Sequence, residues 1–321
     1  MISAPIVIVG QPRSGSTILT RWVNNDQRAF VLNDFYVLQR IDALGLWGPL
    51  SSGDAREIAM WVYRILEIRC TQEIGKTLEQ PVHLSLADLA IVKSLANGPW
   101  DEGILWSDVI GQILHRAAEL AGADFWGWNT PQDHQHLERI FAGFPDAKVL
   151  CQLRQPDAML ASYKNVDGWW HDARRYNPMV LALAWKRAAQ NAASWSARKP
   201  SQVKFIRYED LVRRTPETTT EISNFLGIGQ RVACLGSFGR NSSMQGKKPK
   251  KVTGLESWVA YRICGREAAE LGFSERVDAR CQFGDFVEAA RITGASFSLL
   301  VSDYLFNSDR RRRLIRLLFK T

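Results

Sequence analysis

Cysteine is scarce in this chain of 321 residues and follows no pattern. There are five cysteines, an odd number, and none is spaced as Cys-x-x-Cys. This usage argues against both a disulfide framework and a zinc site, and it favours a reducing compartment. The five are Cys70, Cys151, Cys234, Cys264 and Cys281.

Long apolar runs are also missing. No stretch approaches the roughly 18 consecutive apolar residues of a membrane-spanning helix. The first ten residues carry no positive charge, so no signal peptide is predicted, and we expect a soluble, cytoplasmic protein. Hydrophobic residues make up 46% and charged residues 23% of the chain, as in globular proteins, which excludes disordered, collagen-like and coiled-coil classes.

Positive charge is concentrated in two segments. The formal net charge is +8. Residues 240–251 hold five basic residues and no acid, and residues 309–321 hold six basic residues against one Asp. Each segment carries +5, so the rest of the chain is at −2. A mildly acidic body with two basic segments does not indicate a nucleic-acid-binding protein.

Short apolar segments alternate with helical patterns along most of the chain. Strands are predicted at residues 5–10, 125–128, 147–153 and 203–207. Helices are predicted at residues 16–24, 131–141, 156–164, 178–198 and 216–226. This alternation predicts a three-layer α/β fold with a central, mostly parallel sheet and helices on both faces.

Residues 45–107 interrupt the alternation with helical stretches between Gly- and Pro-rich joints. One helix is predicted at residues 54–74 with Asp54 as its N-cap, and another follows at residues 107–121. We interpret residues 45–107 as a helical insertion. Its tryptophans pack a helical core or line a pocket for sugars or planar groups, and the sequence leaves both open. They are Trp47, Trp61, Trp100 and Trp106.

The segment between the first strand and the first helix has the spacing of a phosphate-binding loop. Residues 10–17 read GQPRSGST, which mimics the P-loop pattern G-x-x-x-x-G-K-[ST]. Ser16 stands where that pattern needs Lys, the residue that reaches the β- and γ-phosphates of a nucleoside triphosphate. Arg13 instead places a guanidinium inside the loop, where it can bind a phosphate closer to the sugar.

A second basic and hydroxyl pair follows the strand at residues 147–153. Arg154 comes directly after this strand, and Ser162 lies on the next predicted helix. The two side chains can converge on one phosphate. Alternatively, Arg154 pairs with a carboxylate and Ser162 is a solvated helix residue.

These motifs, together with a third, resemble the sulfotransferase family, which uses 3′-phosphoadenosine 5′-phosphosulfate (PAPS). The third motif is residues 205–212, FIRYEDLV, a strand that runs into a turn typical of that family. Residues 128–131 (WNTP) and 144–148 (FPDAK) resemble two further family segments. The features occur in the family's order over residues 5–227. The resemblance implies a single sulfotransferase domain over residues 1–321 with a P-loop-like nucleotide-binding core, and residues 240–321 as a cofactor-covering loop and C-terminal region. We expect the helical insertion at residues 45–107 to form an acceptor-side cap.

The resemblance also implies which residues bind the nucleotide. Arg13 and the amides of Ser14, Gly15, Ser16 and Thr17 would hold the 5′-phosphosulfate. Arg154 and Ser162 would hold the 3′-phosphate, with Tyr208 nearby. The family closes a late loop over the 3′-phosphate, and its counterpart here would supply Ser242, Ser243 and Lys247. PAPS has no γ-phosphate, so no metal is expected to be required, and the product would be adenosine 3′,5′-bisphosphate.

Two residues are candidates for the base that takes the acceptor's proton. In family members with Arg in the loop, a carboxylate follows about 20 residues later, and here Asp34 follows Arg13 by 21 positions. Asp34 lies in residues 31–35 (VLNDF), whose apolar start indicates a further strand, the second along the chain. Asp34 would end that strand opposite the phosphate loop, or it would cap the next helix. His171, after Trp169 and Trp170, is the second candidate. His134 and His136 form His-x-His near a helix start, where they face different sides and do not indicate a metal site.

The sequence leaves the acceptor open among a small molecule, a glycan and a lipid, with a hydroxyl or an amine attacking sulfur. No nucleic-acid partner is expected. The basic C-terminal segment, residues 310–320, contacts an anionic membrane surface or forms a docked end helix. Homo-oligomerisation is left open. Two other functions remain as alternatives, a P-loop phosphotransferase and a non-enzymatic protein that binds anions or membranes.

Overall fold

The computed structural model describes residues 4–26, 28–71, 84–165, 176–228 and 250–273, together with Gly294. The chain divides into two compact units. The first comprises Met1–Leu153 and Asn191–Phe238, and the second comprises Arg154–Gln190 and Gly239–Thr321.

A five-stranded sheet forms the centre of the first unit. Its strands are β1 (Ile6–Gly10), β2 (Ala29–Asn33), β3 (Phe125–Asn129), β4 (Lys148–Leu153) and β5 (Val203–Arg207). The order is β2-β3-β1-β4-β5, and every pair is parallel. All residues of β1 are buried, as expected for a parallel strand covered on both faces. The predicted α/β fold with a parallel sheet is confirmed.

One face of the sheet packs against α1 (Ser16–Asn24) and α10 (Thr215–Leu226). Leu19, Trp22 and Val23 of α1 bury their side chains on Ile6 and Ile8 of β1 and on neighbouring strands. The residues of this face alternate along each strand, so every second side chain of β1, β2 and β4 points towards α1.

The opposite face is aromatic. Trp126 and Trp128 of β3 are fully buried and lie 6.3 Å apart between ring centroids. Phe144 packs edge-on against Trp126 at 5.6 Å. The helix α5 (Trp106–Leu120) covers β3. Tryptophan therefore contributes directly to the core of the sheet.

The predicted insertion is helical. The described residues between β2 and β3 form α2 (Val37–Leu44), α3 (Ser52–Thr71), α4 (Leu86–Ala96) and α5. Helices α3, α4 and α5 pack on one another, so α5 belongs with the insertion although it lies largely beyond residue 107. Trp61, Trp100 and Trp106 are buried, in agreement with the core-packing interpretation.

Two predictions about helices before β4 were wrong. Asp54 is not the N-cap of its helix. Ser51 lies before Ser52, the first residue of α3, and its Oγ accepts the Asp54 N–H at 3.1 Å. The single helix predicted at residues 131–141 is a 3₁₀ turn (Pro131–Gln135) followed by α6 (Leu137–Gly143). The Asp133 side chain accepts hydrogen bonds from Trp128 and Gln39 in the core, and these bonds favour the tighter turn.

The described part of the second unit consists of α7 (Pro156–Lys164), the first part of α8 (Pro178–Arg198) and α11 (Gly254–Glu270). In the first unit, the RYEDLV segment forms a short helix, α9 (Tyr208–Arg213), where a turn was predicted. Across the described residues, no helix has both the length and the apolar character needed to cross a membrane.

Candidate active site

The phosphate loop joins β1 to α1, as the sequence predicts. Gly10 has φ 150° and Gly15 has φ 88°, backbone conformations that favour glycine. A Cβ on Gly10 would overlap the carbonyl oxygen of Gln152, and one on Gly15 would lie 2.5 Å from Tyr208 Cδ2. Both glycines are therefore required by close contacts as well as by backbone geometry.

The loop presents hydrogen-bond donors at the start of α1. Gly15 precedes the first helical residue and has no side chain to cap the helix, and the Ile18 N–H is bonded to the Gly15 carbonyl at 2.9 Å. The N–H groups of Ser16 and Thr17 thus belong to the first turn, which has no intrahelical acceptor for them. Together with the positive end of the helix dipole, they favour an anion at this position.

Ser14 and Arg13 complete the loop. Ser14 is fully buried, and its Oγ has no hydrogen-bond partner among the described residues. Arg13 is exposed and has φ 72°, a conformation that costs a non-glycine residue about 1–3 kcal/mol. A buried hydroxyl without a partner among the described residues and a strained cation in the same loop fit a bound oxyanion.

Tyr208 forms a wall beside the phosphate loop. It is the first residue of α9, its ring is buried, and it contacts Gly15. The preceding Arg207 donates from Nε to Asp210 Oδ2 at 2.7 Å, which fixes the start of this helix. The RYEDLV motif thus includes an internal ion pair and places an aromatic ring against the loop.

Asp34 directly follows β2, as predicted. Its φ is 53°, and its carboxylate is 32% exposed. Asp34 Oδ2 accepts from Arg69 Nη2 at 2.9 Å. The next helix, α2, begins at Val37 with Tyr36 as its N-cap residue, so Asp34 does not cap it. Asp34 is therefore a partly exposed carboxylate held by an arginine of the helical insertion.

A row of amides connects Asp34 to the phosphate loop. Asn33 Nδ2 lies 3.5 Å from Asp34 Oδ2. Asn129 Nδ2 donates to Asn33 Oδ1 at 2.5 Å and to Ser16 Oγ at 3.3 Å. Asn33 and Asn129 are the last residues of β2 and β3, which are neighbouring parallel strands. The candidate base and the phosphate loop are thus joined through two buried side chains.

A buried carboxylate supports the segment that follows Asp34. Asp133 accepts from Trp128 Nε1 at 2.8 Å and from Gln39 Nε2 at 2.5 Å. Burial raises the pKa of Asp133 to about 7, although hydrogen bonds from Trp128, Gln39 and Thr130 oppose that rise. Thr130 Oγ1 also accepts the Tyr36 N–H at 3.1 Å. This cluster anchors α2 and the turn between Asp34 and α2.

Arg154 and Ser162 belong to the second unit. Arg154 follows the last residue of β4, and its carbonyl accepts from Trp185 Nε1 at 2.8 Å. Ser162 is buried on α7. Arg154 therefore follows a strand and Ser162 lies on the next helix, as the sequence predicts.

The end of the basic segment 240–251 is hydrogen-bonded to the end of α7. Asn165 accepts the Lys250 N–H at 2.7 Å and donates to the Lys250 carbonyl at 2.9 Å. Lys164 Nζ lies 2.6 Å from Glu256 Oε2 and 3.1 Å from the Lys251 carbonyl oxygen. Residues 250–251, which end the basic segment 240–251, therefore lie close to the helix that carries Ser162.

Several predicted site residues lie outside the described part of the chain. These are the second candidate base, the late-loop residues and the C-terminal basic segment: His171, Ser242, Ser243, Lys247 and residues 309–321.

His134 and three cysteines are buried in the interior of the protein. His134 is buried, and its ring and carbonyl both contact the Asn191 amide at 2.9 Å. Cys70, Cys151 and Cys264 are free and buried, and burial raises the pKa of the Cys151 thiol to about 12. Among the described residues, no group of His, Cys, Asp and Glu side chains could hold a metal ion.

Comparison with known proteins identifies the family. The sequence profile of the sulfotransferase family matches residues 5–231, more than half of the chain. The chain belongs to the sulfotransferase family. Curated proteins give no match.

Solved sulfotransferase structures are similar to this chain at low sequence identity. A sulfotransferase domain from the curacin biosynthetic pathway is 17% identical, with a TM-score of 0.48, and the match covers 85% of this chain and 99% of that one. The sulfotransferase domain of the Synechococcus PCC 7002 olefin synthase is also 17% identical, with a TM-score of 0.48, over 91% and 94% of the two chains. A sulfotransferase from Mycobacterium avium is 13% identical, with a TM-score of 0.49, over 85% and 78%.

Three residues of the candidate site were not predicted from the sequence. Asn33 and Asn129 are polar residues at the ends of strands with apolar neighbours, a pattern that could have revealed them. Arg69 has no such signal. It is one of several arginines in a long helix, and the packing of α3 decides which of them reaches Asp34.

Proposed function

We propose that this protein transfers the sulfuryl group of PAPS to a hydroxyl or amine of a small-molecule, glycan or lipid acceptor. The observation that carries the proposal is the phosphate loop, where Ser16 replaces the P-loop lysine and the Ser14 hydroxyl is buried without a partner among the described residues. PAPS needs no group that reaches a γ-phosphate, unlike a nucleoside triphosphate. Family membership supports the same donor.

The residues of the loop would hold the 5′-phosphosulfate. The first-turn amides of α1, the Ser14 hydroxyl and the Arg13 guanidinium are donors suited to a multiply charged oxyanion. Charge builds on the leaving phosphate during sulfuryl transfer. A fixed guanidinium is therefore worth most in the transition state, where it lowers the barrier.

Arg154 and Ser162 would bind the 3′-phosphate, with Tyr208 as a wall of the nucleotide site. Ser242, Ser243 and Lys247 would close over the same phosphate. The attachment of residues 250–251 to the end of α7 supports this assignment, because it anchors the end of the basic segment to the helix that carries Ser162.

Asp34 would act as the base. The acceptor oxygen or nitrogen forms a bond to sulfur, the bond between sulfur and the phosphate oxygen breaks, and adenosine 3′,5′-bisphosphate leaves. The acceptor's proton passes to the Asp34 carboxylate, which is partly exposed and held in place by Arg69. His171 is the alternative base.

A thermal-shift experiment tests the donor. Adenosine 3′,5′-bisphosphate should raise the melting temperature strongly without magnesium. Stabilisation by ATP with magnesium alone would instead favour a phosphotransferase, and no response to either nucleotide would contradict both enzymatic functions and leave an anion- or membrane-binding protein. Arg154→Ala should weaken binding of adenosine 3′,5′-bisphosphate by about 2–5 kcal/mol.

Activity measurements identify the acceptor and test the proposed base. Labelled PAPS should be offered with sugar, phenol, lipid and amine acceptors to find one that is sulfated. With that acceptor, Asp34→Asn should abolish turnover and leave the affinity for adenosine 3′,5′-bisphosphate nearly intact. Turnover that survives this substitution would remove Asp34 as the base and make His171 the next residue to replace.

A further inference from the structure

Gln152 places a buried amide near the end of strand β4. It is the penultimate residue of β4, whose sequence KVLCQL is otherwise apolar after Lys148. Its side chain is fully buried, and neither Oε1 nor Nε2 has a hydrogen-bond partner among the described residues. Buried amides are almost always hydrogen-bonded, so this exception needs an explanation.

The register of the sheet places Gln152 beside the phosphate loop. Its cross-strand neighbour on β1 is Gly10, the first residue of the loop. Leu150, two residues earlier, packs in the core beneath α1, so Gln152 points to that same face. Asn129 is also on this face, where it donates to Ser16 Oγ.

Other polar atoms near this loop are unsatisfied as well. Ser14 Oγ and Asn129 Oδ1 are buried and have no hydrogen-bond partner within the described ranges. With the two amide atoms of Gln152, four such atoms lie in the loop or on the sheet face that α1 covers. Since a helix N-terminus at the same place favours an anion, a bound oxyanion accounts for the unsatisfied donors of Ser14 and Gln152 together.

We propose that Gln152 is a binding residue for the oxyanion in the phosphate loop. Its Nε2 donates a hydrogen bond to an oxygen of the nucleotide's 5′-phosphate or phosphosulfate, beside the donor from Ser14. A neutral amide suits this buried position because it supplies a donor without burying a charge. The assignment rests on the proposed function, which places the 5′ end of PAPS in the loop.

The substitution Gln152→Met tests the assignment, because it keeps the length of the side chain and removes both polar atoms. Isothermal titration calorimetry with adenosine 3′,5′-bisphosphate should show affinity lower by about 10- to 100-fold, the range of a lost hydrogen bond to a charged group. Adenosine 5′-monophosphate, which lacks the 3′-phosphate, should lose affinity by the same factor, since the contact is at the 5′ end. Without nucleotide, the variant should melt at the same temperature as the wild type or higher, because the replaced amide is buried and has no partner in the part of the chain that the structure describes.

Leu150→Met is the matched control, on the same strand and the same face, and it should leave both affinities unchanged. Equal affinity of Gln152→Met and wild type would overturn the assignment. A lower melting temperature of the nucleotide-free variant would also overturn it, because it would show a structural role for the amide. If the wild type itself does not bind adenosine 3′,5′-bisphosphate, the proposed function fails first, and the Gln152 assignment fails with it.

Discussion

Arg69 Nη2 lies 2.9 Å from Asp34 Oδ2 and joins the helical insertion to the end of the second strand. Arg69 is 18% exposed, so its guanidinium is largely withdrawn from solvent. Asp34 has a positive φ, and its carboxylate is thus oriented by backbone geometry on one side and by an ion pair on the other. The insertion therefore does more than cover the sheet, because one of its helices fixes the candidate base.

The first prediction concerns this ion pair. Arg69→Ala should lower kcat by about 10- to 100-fold, because the Asp34 carboxylate loses the partner that orients it towards the acceptor. The affinity for adenosine 3′,5′-bisphosphate should not change. Sulfation of the acceptor found by screening measures the first effect, and calorimetry measures the second. Arg64→Ala, an exposed arginine on the same helix, is the control and should behave as wild type. A normal kcat in Arg69→Ala would show that the ion pair does not serve catalysis.

The second prediction concerns the shape of the phosphate loop. Gly15→Ala should destabilise the protein and weaken nucleotide binding, because the new Cβ would meet the Tyr208 ring and the backbone has φ 88°. Thermal unfolding with and without adenosine 3′,5′-bisphosphate measures both effects. Gly53→Ala is the control, since a Cβ there would meet Ser51 Oγ at 3.8 Å, and it should stabilise α3 by about 0.4–1 kcal/mol. Normal binding by Gly15→Ala would mean that Tyr208 moves freely away from the loop.

The third prediction is a pH dependence of stability that comes from Asp133. Burial raises the pKa of Asp133 to about 7 in the folded protein, above the ordinary value of 3.8. Between these two values the folded state keeps a proton that the unfolded state has lost. Stability should therefore fall as pH rises through this window, by at most about 1.4 kcal/mol per pH unit, and should then level off.

Asp133→Asn removes the titrating group. Urea unfolding at about pH 5 and about pH 8 should show a smaller loss of stability in this variant than in the wild type. The Asn amide can still accept from Trp128, and its nitrogen can donate to Gln39 Oε1, which has no partner among the described residues. Identical pH dependence in both proteins would show that Asp133 is ionised throughout.

The fourth prediction concerns the anchor of the basic segment. Glu256 and Lys164 are 3% and 10% exposed, so Glu256→Gln leaves a nearly buried ammonium without its counter-charge. The free energy of unfolding should fall by about 3–5 kcal/mol, measured by denaturant titration. Glu270→Gln is the control, because Glu270 is 60% exposed and its ion pair with Arg266 is worth about 0–1 kcal/mol. Equal effects of the two substitutions would contradict a buried anchor.

Local patterns decided much of the architecture in advance. The β-branched run before the loop predicted β1, and the proline starts and periodic apolar residues predicted α7 and α8 with their observed bounds. Position in the chain placed Arg13 in the loop, Asp34 after the second strand and Arg154 after the fourth. Each of these inferences depends on neighbours along the chain, which is the information that a sequence carries directly.

Contacts between distant segments could not be inferred in this way. The helix predicted at residues 131–141 is divided into a 3₁₀ turn and α6, because Asp133 accepts hydrogen bonds from Trp128 and Gln39. Asn33 and Asn129 are 96 residues apart, and they meet because β2 and β3 are paired in register.

The sequence by itself determined the order of strands and helices, the phosphate loop and the substitution of Ser16 for the P-loop lysine. The tertiary structure alone decided which arginine reaches Asp34, which amides lie beside the loop and why Gly15 cannot carry a side chain. The physical reason is that propensity and periodicity act over a few residues, whereas strand register and helix packing bring together groups that the sequence holds far apart.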